Sequence, residues 1–137
     1  KKVTTTAMNA FMEEKEVYYA VKDDVAVMEM AMCASLPSAK GRENPATTTT
    51  YGVGQLICHA VENGAKKIIL GLGGSCTNDA GTGMAAALGV QFFDKDGNSF
   101  IPTGETLDKI TAFNTENTDI LLKGEERIFF VKALYIW

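Results

Sequence analysis

Ile68-Ile69-Leu70-Gly71-Leu72-Gly73-Gly74-Ser75-Cys76-Thr77-Asn78-Asp79-Ala80-Gly81-Thr82-Gly83-Met84-Ala85-Ala86-Ala87-Leu88-Gly89 joins a short apolar run, a glycine-rich turn and a small-residue segment of helical period. The run Ile68 to Leu70 is too brief for a helix and rich in β-branched residues, so it predicts a buried strand. Gly71, Gly73 and Gly74 permit positive φ and close backbone approach, and Ser75, Thr77, Asn78 and Asp79 are the residue types that cap helix starts. Ala80, Met84, Ala87 and Leu88 then recur at helical spacing and Gly89 stands where a helix stops, which predicts a helix over 78–88. In a strand, loop and helix of this kind, unpaired backbone N–H groups and the positive helix end face one point. That favours an anion, most often a phosphate.

Two familiar phosphate loops do not fit. The P-loop needs Gly-Lys-Ser/Thr at its end, but Ser75 and Cys76 follow the loop glycines, and no lysine occurs between Ile68 and Gly89. A dinucleotide fingerprint needs glycine where Cys76 stands. The plain alternative is a tight strand-to-helix turn that binds nothing.

Composition bounds the partners. With 137 residues, 46% hydrophobic, the chain is sized for one ordinary core or for a piece of a larger one. A net charge of −4 with no basic stripe argues against nucleic acid, because Lys40-Gly41-Arg42 and Lys66-Lys67 are short clusters that read as solvated surface. No apolar run approaches the ~20 residues of a membrane helix, and no secretory leader is expected at Lys1. Cys33, Cys58 and Cys76 are odd in number and lack metal-ligand spacing, as expected of reduced thiols in the cytoplasm. His59, the only histidine, reads as solvated. Both ends read as cut: Lys1 is not a methionine, and Arg127 to Trp137 is an apolar, strand-like run that stops on Tyr135-Ile136-Trp137. An internal fragment is therefore expected.

Along the chain, residues 1–45 form a strand-rich portion. Lys1 to Thr6 is β-prone, and Val17–Val21 and Val25–Met30 flank an Asp23-Asp24 turn as in a hairpin. Glu29 is a lone carboxylate in apolar surroundings, either exposed on the far face or held for a purpose. Ala31 to Leu36 predicts a helical turn stopped by Pro37, followed by a polar loop from Ser38 to Ala46. Residues 46–95 carry the site. Val53, Leu56, Ile57, Ala60 and Val61 mark one helical face ended by Asn63-Gly64, and a strand at Lys67–Leu70, the glycine loop, the 78–88 helix and a strand at Val90–Phe93 follow. The fold class expected is α/β, a mostly parallel sheet flanked by helices, with ligands beyond the carboxyl ends of the strands. Asp96-Gly97 is a turn signal, and residues 96–137 are otherwise poorly defined.

The wording of the loop is more specific than its class. Gly71-Leu72-Gly73-Gly74-Ser75-Cys76-Thr77-Asn78-Asp79-Ala80-Gly81-Thr82-Gly83, with Ala87-Leu88-Gly89-Val90, resembles the signature of the type I glycerate kinases. Asn44-Pro45-Ala46-Thr47-Thr48-Thr49-Thr50-Tyr51-Gly52-Val53-Gly54-Gln55-Leu56-Ile57 is similar to that family's Asn-Pro, Thr-rich, Tyr-Gly-x-Gly segment, and Ala26-Val27-Met28-Glu29-Met30-Ala31 to its Ala-Val-Ile-Glu-Met-Ala. Cys76 stands where alanine is common, and Ala80 and Thr82 where glycine and alanine are common.

The resemblance implies part of a larger two-domain kinase that uses ATP and Mg²⁺ to phosphorylate a hydroxyl of D-glycerate in the cytoplasm. The family's N-terminal lysine segment and C-terminal glycine and Asp motifs have no counterpart here, so little turnover by these 137 residues alone is expected. Phosphoryl transfer needs neutralised phosphates, a positioned hydroxyl and often a carboxylate. Asp79 is the expected catalytic carboxylate, assisted by Asn78, and an indirect Mg²⁺ partner; from residue type alone it is equally a helix N-cap. Gly73, Gly74, Ser75, Thr77, Thr48, Thr49 and Glu29 are the expected substrate and phosphate contacts. Two other classes stay open: a non-catalytic module for small anions or nucleotides, and thiol chemistry at Cys76.

Overall fold

The computed structural model describes residues 1–118 in full and the backbone of 127–131. Alternating residues build the first hairpin. β1 (Lys2–Met8) and β2 (Glu14–Lys22) pair antiparallel, with Val17 and Tyr19 buried and Tyr18 exposed between them. β2 turns into β3 (Val25–Glu29) through Asp23-Asp24, with Lys22 opposite Val25 and Asp23 at φ 55, the conformation that aspartate tolerates in turns. A single helical turn, α1 (Ala31–Ala34), and a 3₁₀ turn at Pro37–Ala39 follow.

The chain crosses back through α2 (Tyr51–Glu62) and emerges as β4 (Lys67–Gly71), parallel to β3. The predicted face of α2 is buried as expected: Val53, Leu56, Ile57 and Ala60 pack with Val17, Tyr19, Ala26, Met28, Ile68 and Leu70 in one core. Asn63 and Gly64, the latter at φ 91, end the helix. His59 is not solvated; it is half-buried beside β2, where its Nδ1 lies 3.0 Å from the Tyr19 hydroxyl.

After β4 come α3 (Thr82–Ala87), β5 (Gln91–Phe93), β6 (Ser99–Phe100), a 3₁₀ segment at Gly104–Lys109, β7 (Ala112–Asn114) and β8 (Arg127–Val131). The main sheet has the order β1-β2-β3-β4-β8; its first two pairings are antiparallel and its last two parallel. The protein is α/β, and the sheet is mixed rather than mostly parallel, because the Asp23-Asp24 hairpin reverses the chain before the first crossover. β5 does not continue this sheet either. It forms a separate antiparallel sheet of order β6-β5-β7, closed by the Asp96-Gly97 turn. Six residues of α3 span only about 9 Å, too little to return along a five-residue strand of about 16 Å.

The sequence predicts a helix from 78, but α3 starts at Thr82 because Ala80 and Gly81 hold left-handed conformations at φ 54 and 75. Of the expected strand-like run at 127–137, β8 covers the first part; the terminal Tyr135-Ile136-Trp137, like residues 119–126, lies outside the described residues. Among the described residues no helix is long and apolar enough to cross a membrane.

Candidate active site

β3 and β4 end side by side, with Glu29 in register with Gly71, at the carboxyl edge where α/β sheets hold ligands. From there the chain from Leu72 to Asn78 is pinned along two borders. On one, Met30 N–H donates to Gly71 O at 2.8 Å, Leu36 N–H to Gly74 O at 2.8 Å, and Cys76 N–H to Ala34 O at 2.9 Å, which pairs Ser35 with Ser75 as an isolated antiparallel bridge. On the other, the Thr48 hydroxyl donates to Cys76 O at 3.0 Å.

The carbonyls of Gly71, Gly74 and Cys76 are engaged by protein donors, whereas the N–H groups of Gly73 and Gly74 have no protein acceptor among the described residues. Successive N–H groups without a protein acceptor suit a negative guest. Gly74, at φ 72 and exposed, needs the freedom of glycine to make this turn.

Beside the turn lies a cleft of about 200 Å³ lined by Glu29, Ala31, Ser35, Pro37, Gly71, Gly73 and Gly74. Glu29 is exposed, so it avoids the penalty of a buried carboxylate and faces solvent at the strand end. Ser35 is half-buried, and sequence reasoning missed it. No local pattern marks it, since only the bridge to Ser75 brings it to the loop. Ser75 and Thr77 are half-buried, with hydroxyls 2.8 Å apart, and Asn78 is exposed.

Asp79 is elsewhere in character. It is 1% exposed, and Oδ2 accepts from Thr50 N at 2.7 Å, Thr50 Oγ1 at 2.8 Å, Gly83 N at 3.2 Å and Thr49 Oγ1 at 3.3 Å. Oδ1 accepts from Gly81 N at 3.2 Å. The negative charge near the helix start is therefore this side chain itself, which accepts from Gly81 N and Gly83 N although Gly81, not Asp79, is the N-cap of α3. Thr48 and Thr49 depart from expectation in the same way: both are buried, with their hydroxyls spent on Cys76 O and Pro45 O and on Asp79 respectively. An indirect Mg²⁺ role for Asp79 does not fit a carboxylate so fully bonded, and among the described residues no three His, Cys, Asp or Glu side chains cluster to hold a metal. Thiol chemistry at Cys76 loses its physical basis, because burial pushes the thiol above its usual range, against a smaller opposing effect of a backbone hydrogen bond.

Known proteins bear on these residues. The profile of the Glycerate kinase family matches residues 1–131. The chain is 43% identical over 114 residues to a glycerate kinase of Bacillus cereus, a match covering 81% of this chain and 30% of that one. It is 39% identical over 99 residues to glycerate 2-kinase of Escherichia coli, covering 72% and 26%. A crystal structure provisionally assigned as glycerate kinase 2 of Salmonella typhimurium superposes with a TM-score of 0.87 at 30% identity, covering 95% of this chain and 35% of that one. The chain thus spans about a third or less of the length of these relatives. A family match over nearly its whole length, together with a shared fold, means that this chain belongs to the glycerate kinase family.

Proposed function

We propose that this chain is the anion-holding portion of a longer, two-domain cytoplasmic kinase that transfers phosphate from ATP to a hydroxyl of D-glycerate. In this reading residues 1–45 and 46–95 together form the cleft, and 96–137 continue into the rest of the kinase. The observation that supports it is the pair of Gly73 and Gly74 amides, which have no protein acceptor among the described residues and lie with the Glu29 carboxylate on one cleft.

The two halves of that cleft suit the two ends of the chemistry. The Gly73 and Gly74 amides donate to an anionic oxygen, of a transferring phosphate or of the glycerate carboxylate. Glu29, a like charge, repels phosphate and is better placed against a neutral group, so it accepts a hydrogen bond from the substrate hydroxyl and draws on its proton. The Ser35 and Ser75 hydroxyls and the exposed Asn78 amide supply further donors near the loop. Asp79 touches no substrate in this scheme. Mg²⁺, expected of the family resemblance, would neutralise charge on the nucleotide's phosphates when bound.

Transfer of ³²P from ATP to D-glycerate by a family-length polypeptide carrying this sequence is the test. Activity is expected, and Glu29→Gln is expected to lower kcat by about a hundredfold, the scale of one general base. Tight binding of ATP or phosphate with no labelled glycerate would instead favour a non-catalytic anion module.

A further inference from the structure

The starts of α2 and α3 lie side by side, and neither is capped by its own N-cap side chain. Thr50, before α2, makes no side-chain cap bond within that helix, and Gly81, before α3, has no side chain to offer. Orphan N–H groups at a helix start need acceptors. Here one carboxylate from outside both helices serves them, Asp79 accepting from Thr50 N, Gly81 N and Gly83 N.

The Thr50 hydroxyl completes the joint. It donates to Asp79 Oδ2 at 2.8 Å and accepts the Met84 N–H at 2.8 Å. A hydroxyl is donor and acceptor at one atom, which is what this position demands, and an amide or a methyl in its place loses one bond or both. Thr50 is 2% exposed, so solvent does not stand in for a missing partner. Space is equally tight: a Cβ on Gly83 would lie 2.7 Å from Asp79 Oδ2 and 2.8 Å from Tyr51 N, closer than real Cβ contacts allow.

The joint reaches the cleft through the chain. Asp79 closes the loop that leaves β4 at Gly71, and the Thr segment that holds Asp79 also holds Cys76 O through Thr48. Loosening Thr50 therefore frees one anchor of a loop that is otherwise held by β4 and by the Ala34 to Leu36 border. We infer that Thr50 is a positioning residue: it locks Asp79 between two helix starts and so keeps the Gly73 and Gly74 amides in the geometry that accepts an anion. This inference rests on the anion-holding role proposed above for those amides.

The test compares Thr50→Val, which keeps the shape and removes the hydroxyl, with Thr50→Ser, which keeps the hydroxyl, in a family-length polypeptide. Glycine-selective ¹⁵N spectra follow Gly73 and Gly74 during titration with inorganic phosphate, and KM and kcat are measured for ATP and D-glycerate. Thr50→Val is expected to weaken phosphate binding at both amides about tenfold and to raise KM for the bound anion by a similar factor, the worth of one buried hydrogen bond. Thr50→Ser is expected to stay within about twofold of the parent. Unchanged phosphate binding in Thr50→Val, or a fall in kcat alone that tracks the folded fraction, would overturn the inference in favour of a purely structural threonine. Amides that ignore phosphate in the parent would overturn it as well. Amides that respond while no glycerate is phosphorylated would sink the kinase reading and leave Thr50 to be decided by the titration. Should the valine variant not fold, Thr50→Cys, a weak donor of similar size, is expected to fall between the other two, and parent-like binding there would count against the inference.

Discussion

The two flanks of the glycine loop are made of the same kinds of residue and put them to opposite use. On the inner flank Thr48, Thr49, Thr50 and Asp79 are each at most 2% exposed, with hydroxyl and carboxylate oxygens bonded to protein. On the outer flank Glu29 and Gly74 are exposed on a cleft, and the Gly73 and Gly74 amides have no protein acceptor among the described residues. What separates them is burial. A polar group sealed from water must find its partners within the protein, whereas one at the rim keeps its bonding capacity for a ligand. The inner flank is therefore held by the fold, and the outer flank is the part to which the proposed chemistry is assigned.

Substitutions that hit one flank and spare the other put this contrast at risk. Asp79→Ala has the largest expected effect on stability, because it strands donors from two helix starts in a dry site. A loss of about 3 kcal/mol or more is expected, read by native-state hydrogen exchange of α2 and α3 amides. A loss confined to catalysis, with exchange unchanged, would move Asp79 to the outer flank. Gly83→Ala comes next, since its Cβ would crowd Asp79 and Tyr51 N, and about 1–3 kcal/mol of destabilisation is expected from overpacking.

Ala80→Gly should act in the other direction. Ala80 is exposed at φ 54, a conformation costing roughly 1–2 kcal/mol for a side chain with a Cβ, while glycine adds about 0.5–1 kcal/mol of unfolded-state entropy. A net gain of about 0.5–1 kcal/mol is expected in a thermal or urea midpoint. The smallest effect on stability belongs to Glu29→Gln, within about 0.5 kcal/mol, because an exposed carboxylate at a strand end is not held by the fold. Paired with the loss of turnover expected of it above, that null result is the sharpest separation of the two flanks. A Glu29→Gln protein that unfolds early would erase the distinction.

Much of the architecture was legible beforehand because it follows from periodicity. The face of α2, the Asp23-Asp24 hairpin, the buried strand at Ile68 to Leu70 and the turn at Asp96-Gly97 all show in local spacing and turn chemistry. The start of α3 was misplaced because Ser, Thr, Asn and Asp crowd 75–79, where any of them has the chemistry of a cap. Ala80, which the spacing places in the helix, instead occupies a left-handed position before it, where the exchange of glycine for alanine matters. The sheet came out mixed because a hairpin and a crossover share it, and β5 left it because α3 is too short to bring the chain back.

The order of residues alone determined that a strand runs into a glycine turn with helix-capping side chains behind it, and its wording pointed to the glycerate kinases. Only the folded chain decided which of those side chains are sealed within the protein and which stay at the rim. Capping a helix and binding a phosphate call for the same oxygens and the same N–H groups, so composition cannot distinguish them. The choice is made by distant segments: Thr50 arrives to consume Asp79, and Ala34 and Leu36 arrive to engage Cys76 N–H and Gly74 O, leaving the Gly73 and Gly74 amides beside Glu29.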